Sequence, residues 1–202
     1  SWLGENSMIG ASYGVMQDDY GVPSEPGKPV QIDLLQKRFD SRGTWGNSFL
    51  IFDKASYRYG YAKYSHKELE GDPQKLATLF SNKAHEARVD LTQKAYGDLH
   101  GTVGFQVLHR DFQAEGEEAF VPPTVTTNFG LFAVEEYHWG DFRFEGGLRY
   151  ERQDVEADSI NFERTFNTVS LSLGSGYTFW EDYLVGLSLS RTERAPSAEE
   201  LL

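Results

Sequence analysis

The side chains that could carry chemistry are few and scattered. The chain holds five histidines (His66, His85, His100, His109 and His138) and no cysteine. Thiolate metal sites, disulfide scaffolds and Cys nucleophiles are thereby excluded. No two histidines stand at H-x-x-x-H or H-E-x-x-H spacing, so there is no helical zinc motif. His66 is the best placed of the five. It shares parity with Arg58 and Tyr64, precedes Glu68 and Glu70, and adjoins a long polar stretch. Asp18, Asp19 and Asp40 could bring carboxylates to it from neighbouring segments, and a hard or borderline cation accepts such oxygen and nitrogen donors. The competing reading is a hydrogen-bonded surface His among solvated acidic loops. The run Glu115-Gly116-Glu117-Glu118 reads in the same way as a hydrated loop, or as a place for ions that bridge lipid headgroups. Asp18, Asp19, His66 and Arg110 are the candidate ligand-binding residues, with the metal, if any, left open. An enzyme is not expected. His109-Arg110-Asp111 puts His109 and Asp111 on one parity with no Ser between them, G-x-S-x-G is absent, and Gly174-Ser175-Gly176 is a small-residue patch. No cofactor is implied.

The elements that must position these residues are strands. The 202 residues carry 19 Lys+Arg against 31 Asp+Glu, a net charge of −12, which excludes a basic nucleic-acid groove. The mean hydropathy of −0.52 and the lack of a long apolar run exclude a spanning helix. Neither excludes a membrane β-barrel, whose strands are only half apolar. The best helical window, Asp72 to Ser81, is short, and alternation dominates. Leu99, Gly101, Val103, Phe105 and Val107 oppose His100, Thr102, Gly104, Gln106 and Arg110; Phe142, Phe144, Leu148 and Tyr150 oppose Arg143, Glu145, Arg149 and Glu151. Ala87, Val89 and Leu91 likewise oppose Glu86, Arg88, Asp90 and Thr92. Period-2 patterning predicts strands with one apolar and one polar face, about nine in all. The register is ambiguous near Leu35 and from Leu131 to Glu136.

Short connections are predicted near Gly46-Asn47, Gly97-Asp98, Gly140-Asp141 and Glu181-Asp182. Long ones are predicted at Gly21 to Val30, Glu68 to Phe80, Ala114 to Thr126 and Val155 to Thr165. All seven prolines fall in the long loops or just past the last strand, as ladder hydrogen bonding requires. Trp45, Trp139 and Trp180 each sit beside a short turn and Trp2 precedes the turn-like Gly4-Glu5-Asn6, so an interfacial girdle is expected at that end. Periodicity alone allows a soluble sandwich with its apolar face inward or a barrel with its apolar face in lipid. Strand length and mixed Arg and Glu on one face favour the barrel. Glu86, Arg88, Asp90, Arg143, Glu145 and Arg149 are then lumen-facing structural residues.

The last strand leads into Arg194-Ala195-Pro196-Ser197-Ala198-Glu199-Glu200-Leu201, which resembles the R-A-P-S-x-x-E-L segment that closes a barrel strand in TonB-dependent outer-membrane receptors. Asp141 to Glu151 looks like another recurrent strand of that family, and Phe132 to Tyr137 like its pairing partner. Most of the chain can be laid on consecutive strands of such a barrel. A narrower similarity, to the zinc-uptake ZnuD-type branch, rests on Tyr20-Gly21-Val22-Pro23, Ile32-Asp33-Leu34, Gln36 to Asp40, and Glu193 before Arg194. Gly21 to Val30 departs from that branch in holding Glu25 and no His.

The resemblance implies an all-β fold, an up-and-down antiparallel transmembrane β-barrel of which residues 1–202 are one part. The plug domain, the TonB-box segment and the remaining strands lie outside this sequence, since a plugged barrel of this kind has ~22 strands. The chain is expected to be an interior piece of a longer protein. The implied function is capture of a scarce nutrient (a metal ion, metal chelate or similar small ligand) at the surface of the bacterial outer membrane, and its import with TonB-derived energy. The implied partners are outer-membrane lipid, the TonB complex acting through a plug segment, and the extracellular ligand. A passive porin-like or structural barrel and a soluble β-sandwich binding module are the alternatives.

Overall fold

A computed structural model describes residues 1–202 except 24–28, 72–73, 117–118, 120 and 181–182. One antiparallel sheet takes the strands in sequence order, and its two edges do not meet. Its strands are β1 (Trp2–Leu3), β2 (Ser7–Val22), β3 (Val30–Trp45), β4 (Phe52–Glu70), β5 (Lys75–Gln93), β6 (Leu99–Gly116), β7 (Thr124–Trp139), β8 (Phe142–Ala157), β9 (Phe162–Phe179) and β10 (Tyr183–Arg191). A 3₁₀ turn, Asp158–Ile160, joins β8 to β9, and a short helix, α1 (Ala198–Leu201), follows β10. Ten strands stand where about nine were expected, the addition being the two-residue β1 that pairs Trp2 with Ile9.

The tight connections gather at one end, the turn end, where Gly140 takes φ +57° in the two-residue loop between β7 and β8. The opposite, rim end is built differently from the pattern expected. Strands β4 to β9 run deep into the stretches read as long loops, leaving only 71–74, 117–123 and 158–161 between them. Antiparallel ladders need backbone partners and not an apolar face, so pairing continues after the hydrophobic alternation ends. The predicted helical window is strand from Lys75 onward for the same reason. The Glu181-Asp182 turn, Glu25, Glu117 and Glu118 lie outside the described residues.

Register assigns every ladder position to a face. One row, Gly60–Glu86–Leu108–Asn128–Gln153, is polar-face, and the adjacent row Tyr59–Ala87–Val107–Phe129–Arg152 belongs to the other. The apolar face is exposed: Leu171 is 51% accessible, Leu173 68% and Leu189 74%. On the polar face Asp90, Arg149 and Glu151 keep only 16%, 26% and 24% of their side-chain surface. Buried apolar residues among those described are Ile32, Ala114, Val155, Ala157 and Ala198, too small a set for a sandwich core. The soluble β-sandwich alternative therefore fails. All four tryptophans stand at the turn end and are exposed, with Trp45 stacked on Tyr57 at 5.6 Å and Phe142 on Tyr177 at 4.6 Å.

The ambiguous stretch Leu131 to Glu136 resolves through cation–π contact. Phe132 and Val134 lie on the polar face, where Phe132 carries the Arg88 guanidinium 4.2 Å above its ring and Arg149 at 5.9 Å. Gly104 between them makes the contact possible. A Cβ there would come within 2.4 Å of Phe132 Cζ and of the Val89 carbonyl oxygen.

Candidate functional site

The polar face holds four groups of side chains between turn end and rim, and the first is a band of ion pairs near its middle. Residues i and i+2 of a strand project on one side roughly 7 Å apart, a span that Arg bridges to a carboxylate. Arg38–Asp40 (2.7 Å), Arg88–Asp90 (2.7 Å) and Arg149–Glu151 (2.9 Å) all use it, and Arg143–Glu145 approaches to 3.8 Å. Gln106 links strands by donating to Glu86 and accepting from Arg149 at 3.4 Å. Beside these pairs lies an open polar cavity of about 700 Å³, lined by Arg38, Asp40, Arg42, Arg58, Glu86 and Arg88 among others. Arg38, Arg88 and Arg149 are neutralised by carboxylates of their own strands, and this surface suits hydrated polar cargo. Glu86, Arg88, Asp90, Arg143, Glu145 and Arg149 all face this side.

Nearer the rim, His66 lies in a row that runs Asp18–Leu34–His66–Phe80–Ala114. Its Nδ1 meets the Tyr64 hydroxyl at 3.0 Å, its Nε2 stands 3.3 Å from Glu68 Oε1, and its ring lies 4.6 Å from that of Phe80. Tyr64-x-His66-x-Glu68 is thus one same-face cluster from a single strand. Asp18 faces the same side two strands away, roughly 10 Å off with Leu34 between. Asp19 points through the other face, where Gln31 donates to it. Asp40 shares the face of His66 but lies six positions along β3 from Leu34, engaged with Arg38. Asp18 and His66 can therefore flank one ligand, whereas Asp19 and Asp40 stand apart from it. His109 lies on the apolar-face parity and contacts Thr127 Oγ1 at 3.0 Å, while Arg110 faces the opposite way.

Arg110 belongs to the third group, which the terminal motif organises. β10 stops at Arg191, halfway up β9, and the chain crosses the polar face. Glu193 starts the crossing: its carboxylate accepts from the Val169 amide (3.1 Å) and from Arg191 (2.6 Å), and its own amide donates to Ser170 Oγ. Gln153 then donates to the Pro196 carbonyl at 2.9 Å, and Arg110 to Glu199 at 3.0 Å. The motif residues explain one another. Ser197 caps α1 in a capping box with Glu200, and Arg194 grips both oxygens of Glu200 at 2.6 and 2.8 Å. Arg194 and the Ser197 amide hold the Glu200 carboxyl down to about 2. Ala198 is buried here, and the leucines are half-buried. Arg110 thus anchors this crossing roughly 16 Å from His66, an assignment that needs Glu199 and the strand register, neither visible as a local motif.

A family model described as TonB dependent receptor-like, beta-barrel, matches residues 10–202. Among solved structures, the copper transporter OprC superposes with a TM-score of 0.76 at 16% identity, covering 96% of this chain and 35% of that one. The FrpB iron transporter of Neisseria meningitidis (F3-3 variant) gives 0.69 at 14%, covering 83% and 30%. The alcaligin outer-membrane receptor FauA of Bordetella pertussis gives 0.62 at 14%, covering 93% and 33%. The chain spans about a third of the length of each of these proteins. Their similarity establishes the fold, and the family match over residues 10–202, which includes the whole terminal motif, establishes that this chain belongs to the TonB-dependent receptor β-barrel family.

Proposed function

We propose that these strands form part of the wall of a bacterial outer-membrane receptor that captures a metal ion or metal chelate at the cell surface and imports it with TonB-derived energy. The exposure of the sheet carries this reading: the apolar side is open, while Asp90, Arg149 and Glu151 in the middle of the charged side are half-buried. In a membrane, the apolar face meets lipid, the four tryptophans lie at one interface, and the ion-pair band lines the lumen. The rim then projects outward with Asp18 and the Tyr64–His66–Glu68 cluster, which offer oxygen and nitrogen donors to a borderline cation. TonB would act through a plug segment outside this sequence. The structural neighbours, a copper transporter, an iron transporter and an alcaligin receptor, support metal or chelate cargo; zinc is the narrower choice that the ZnuD-type residues favour.

The test uses the full-length protein in cells deleted for it. Accumulation of radiolabelled Zn²⁺ and of ferric chelates is measured with TonB present and absent, and in His66→Ala and Asp18→Ala. Accumulation of at least one probe should vanish without TonB and fall in the rim variants. Equal uptake with and without TonB would make the barrel a passive porin.

A further inference from the structure

The remaining group of polar-face side chains lies at the opposite end from the rim. We propose that His100, Glu136 and His138 form a binding site for a borderline divalent transition-metal ion at the turn end of the wall. His100 pairs with Glu136 across β6 and β7, and His138 follows Glu136 at i+2 on the same face. One ligand atom from each lies within 4.8 Å of the other two. Glu136 Oε1 stands 2.5 Å from His138 Nε2 and 3.6 Å from His100 Nε2, and the imidazoles stack with centroids 5.7 Å apart at 14°. Tetrahedral bonds of ~2.1 Å put ligand atoms about 3.4 Å apart, so small side-chain rotations close this set around an ion. Two imidazoles and one carboxylate suit Zn²⁺, Cu²⁺ or Ni²⁺ and disfavour Mg²⁺ or Ca²⁺.

The next strand supplies an independent reason for a cation. Glu145 pairs directly with Glu136 on the same face, a like-charge opposition that destabilises a sheet unless something positive lies between. Arg143, opposite His138, serves both carboxylates, at 3.8 Å from Glu145 and electrostatically on Glu136, which leaves two carboxylates to one guanidinium. A divalent ion held by Glu136 would relieve the opposition. His100 and His138 keep 49% and 47% of their side-chain surface and Glu136 25%, so the site is open from the polar side and leaves a position for water or another donor. It stands far from the rim: from Ala114, in the row of His66, down β6 to His100 is roughly 45 Å. The proposal does not depend on the import reading.

The experiment uses full-length protein in detergent, stripped of metal by a chelator. Zn²⁺ is titrated against a chromophoric competitor, and Co²⁺ and Cu²⁺ are added to follow visible absorption and nitrogen hyperfine coupling. The wild type should bind one more equivalent of Zn²⁺ than His100→Ala/His138→Ala, with two nitrogen ligands on Cu²⁺. The isosteric Glu136→Gln should weaken that equivalent at least about tenfold, and it serves if the alanine variant does not fold. His66→Ala should leave this equivalent unchanged. Identical stoichiometry and affinity in the wild type and Glu136→Gln would overturn the proposal.

Discussion

Replacing Val103 by Arg tests the orientation of the whole wall. Val103 lies mid-way along the apolar run Leu99 to Val107 of β6, between Leu91 of β5 and Ala133 of β7. That run rises about 27 Å, and at a tilt of ~40° it is about 21 Å tall, close to the ~25 Å apolar band of an outer-membrane barrel. Either edge is then roughly 11 Å from Val103, beyond the ~7 Å reach of an Arg stem, so the guanidinium cannot fully snorkel. A cost of ~2–4 kcal/mol follows, and Leu171→Arg on β9 should cost about the same. Full-length protein refolded into phosphatidylcholine vesicles and titrated with denaturant reads this cost, with Thr102→Arg as the polar-face control. Thr102 neighbours Val103 but faces the ion-pair side, so its replacement should cost under about 1 kcal/mol. Costs below about 1 kcal/mol at both Val103 and Leu171, or a larger cost at Thr102, would refute the orientation.

The terminal crossing should respond to acid. Glu200 titrates far below its ordinary 4.5, so its contribution is complete above that value and is lost as pH falls from there towards about 2. Protease nicking within residues 192–202 should rise over that window and already be raised at neutral pH in Arg194→Ala. Arg110→Ala should loosen the same segment by freeing Glu199, whose carboxyl is held low by its own backbone amide and by Arg110. Gly104→Ala should cost ~1–3 kcal/mol in denaturant titration, and adding Phe132→Ala should not restore it, because the Val89 carbonyl is equally close to the new Cβ.

Much of this architecture is legible in the alternation of residues, because a half-apolar strand leaves period 2 wherever one face differs from the other. That signal gives the faces of β5, β6, β8 and β9 and the places of the tight turns near Gly46, Gly97 and Gly140. It breaks where the alternation changes phase: beyond Asp111 and Asp154 the apolar residues Phe112, Ala114, Val155 and Ala157 fall on the polar-face parity, so the ladder reads as loop although it stays paired. It misleads at Phe132, an apolar residue on the charged face whose place depends on Arg88 two strands away. Ten strands instead of nine reflect β1, too short for any periodicity.

The candidate sites divide along the same line. Tyr64-x-His66-x-Glu68 is written along one strand, so spacing alone reveals it, and the structure adds only that Asp18 shares its face while Asp19 does not. The pairing of Arg110 with Glu199 spans 89 positions and depends on the terminal crossing. His100, Glu136 and His138 fall between these extremes: Glu136-x-His138 is visible in the sequence, but His100 joins it only through the register of β6 on β7. On a sheet, a three-ligand set arises most directly from two residues at i and i+2 and one directly across, since those positions are the nearest same-face neighbours. A search for helical histidine spacing passes over such a set. Register carries the missing information, and a shift of one residue between β6 and β7 would send His100 to the other face and abolish the site while leaving both strands intact.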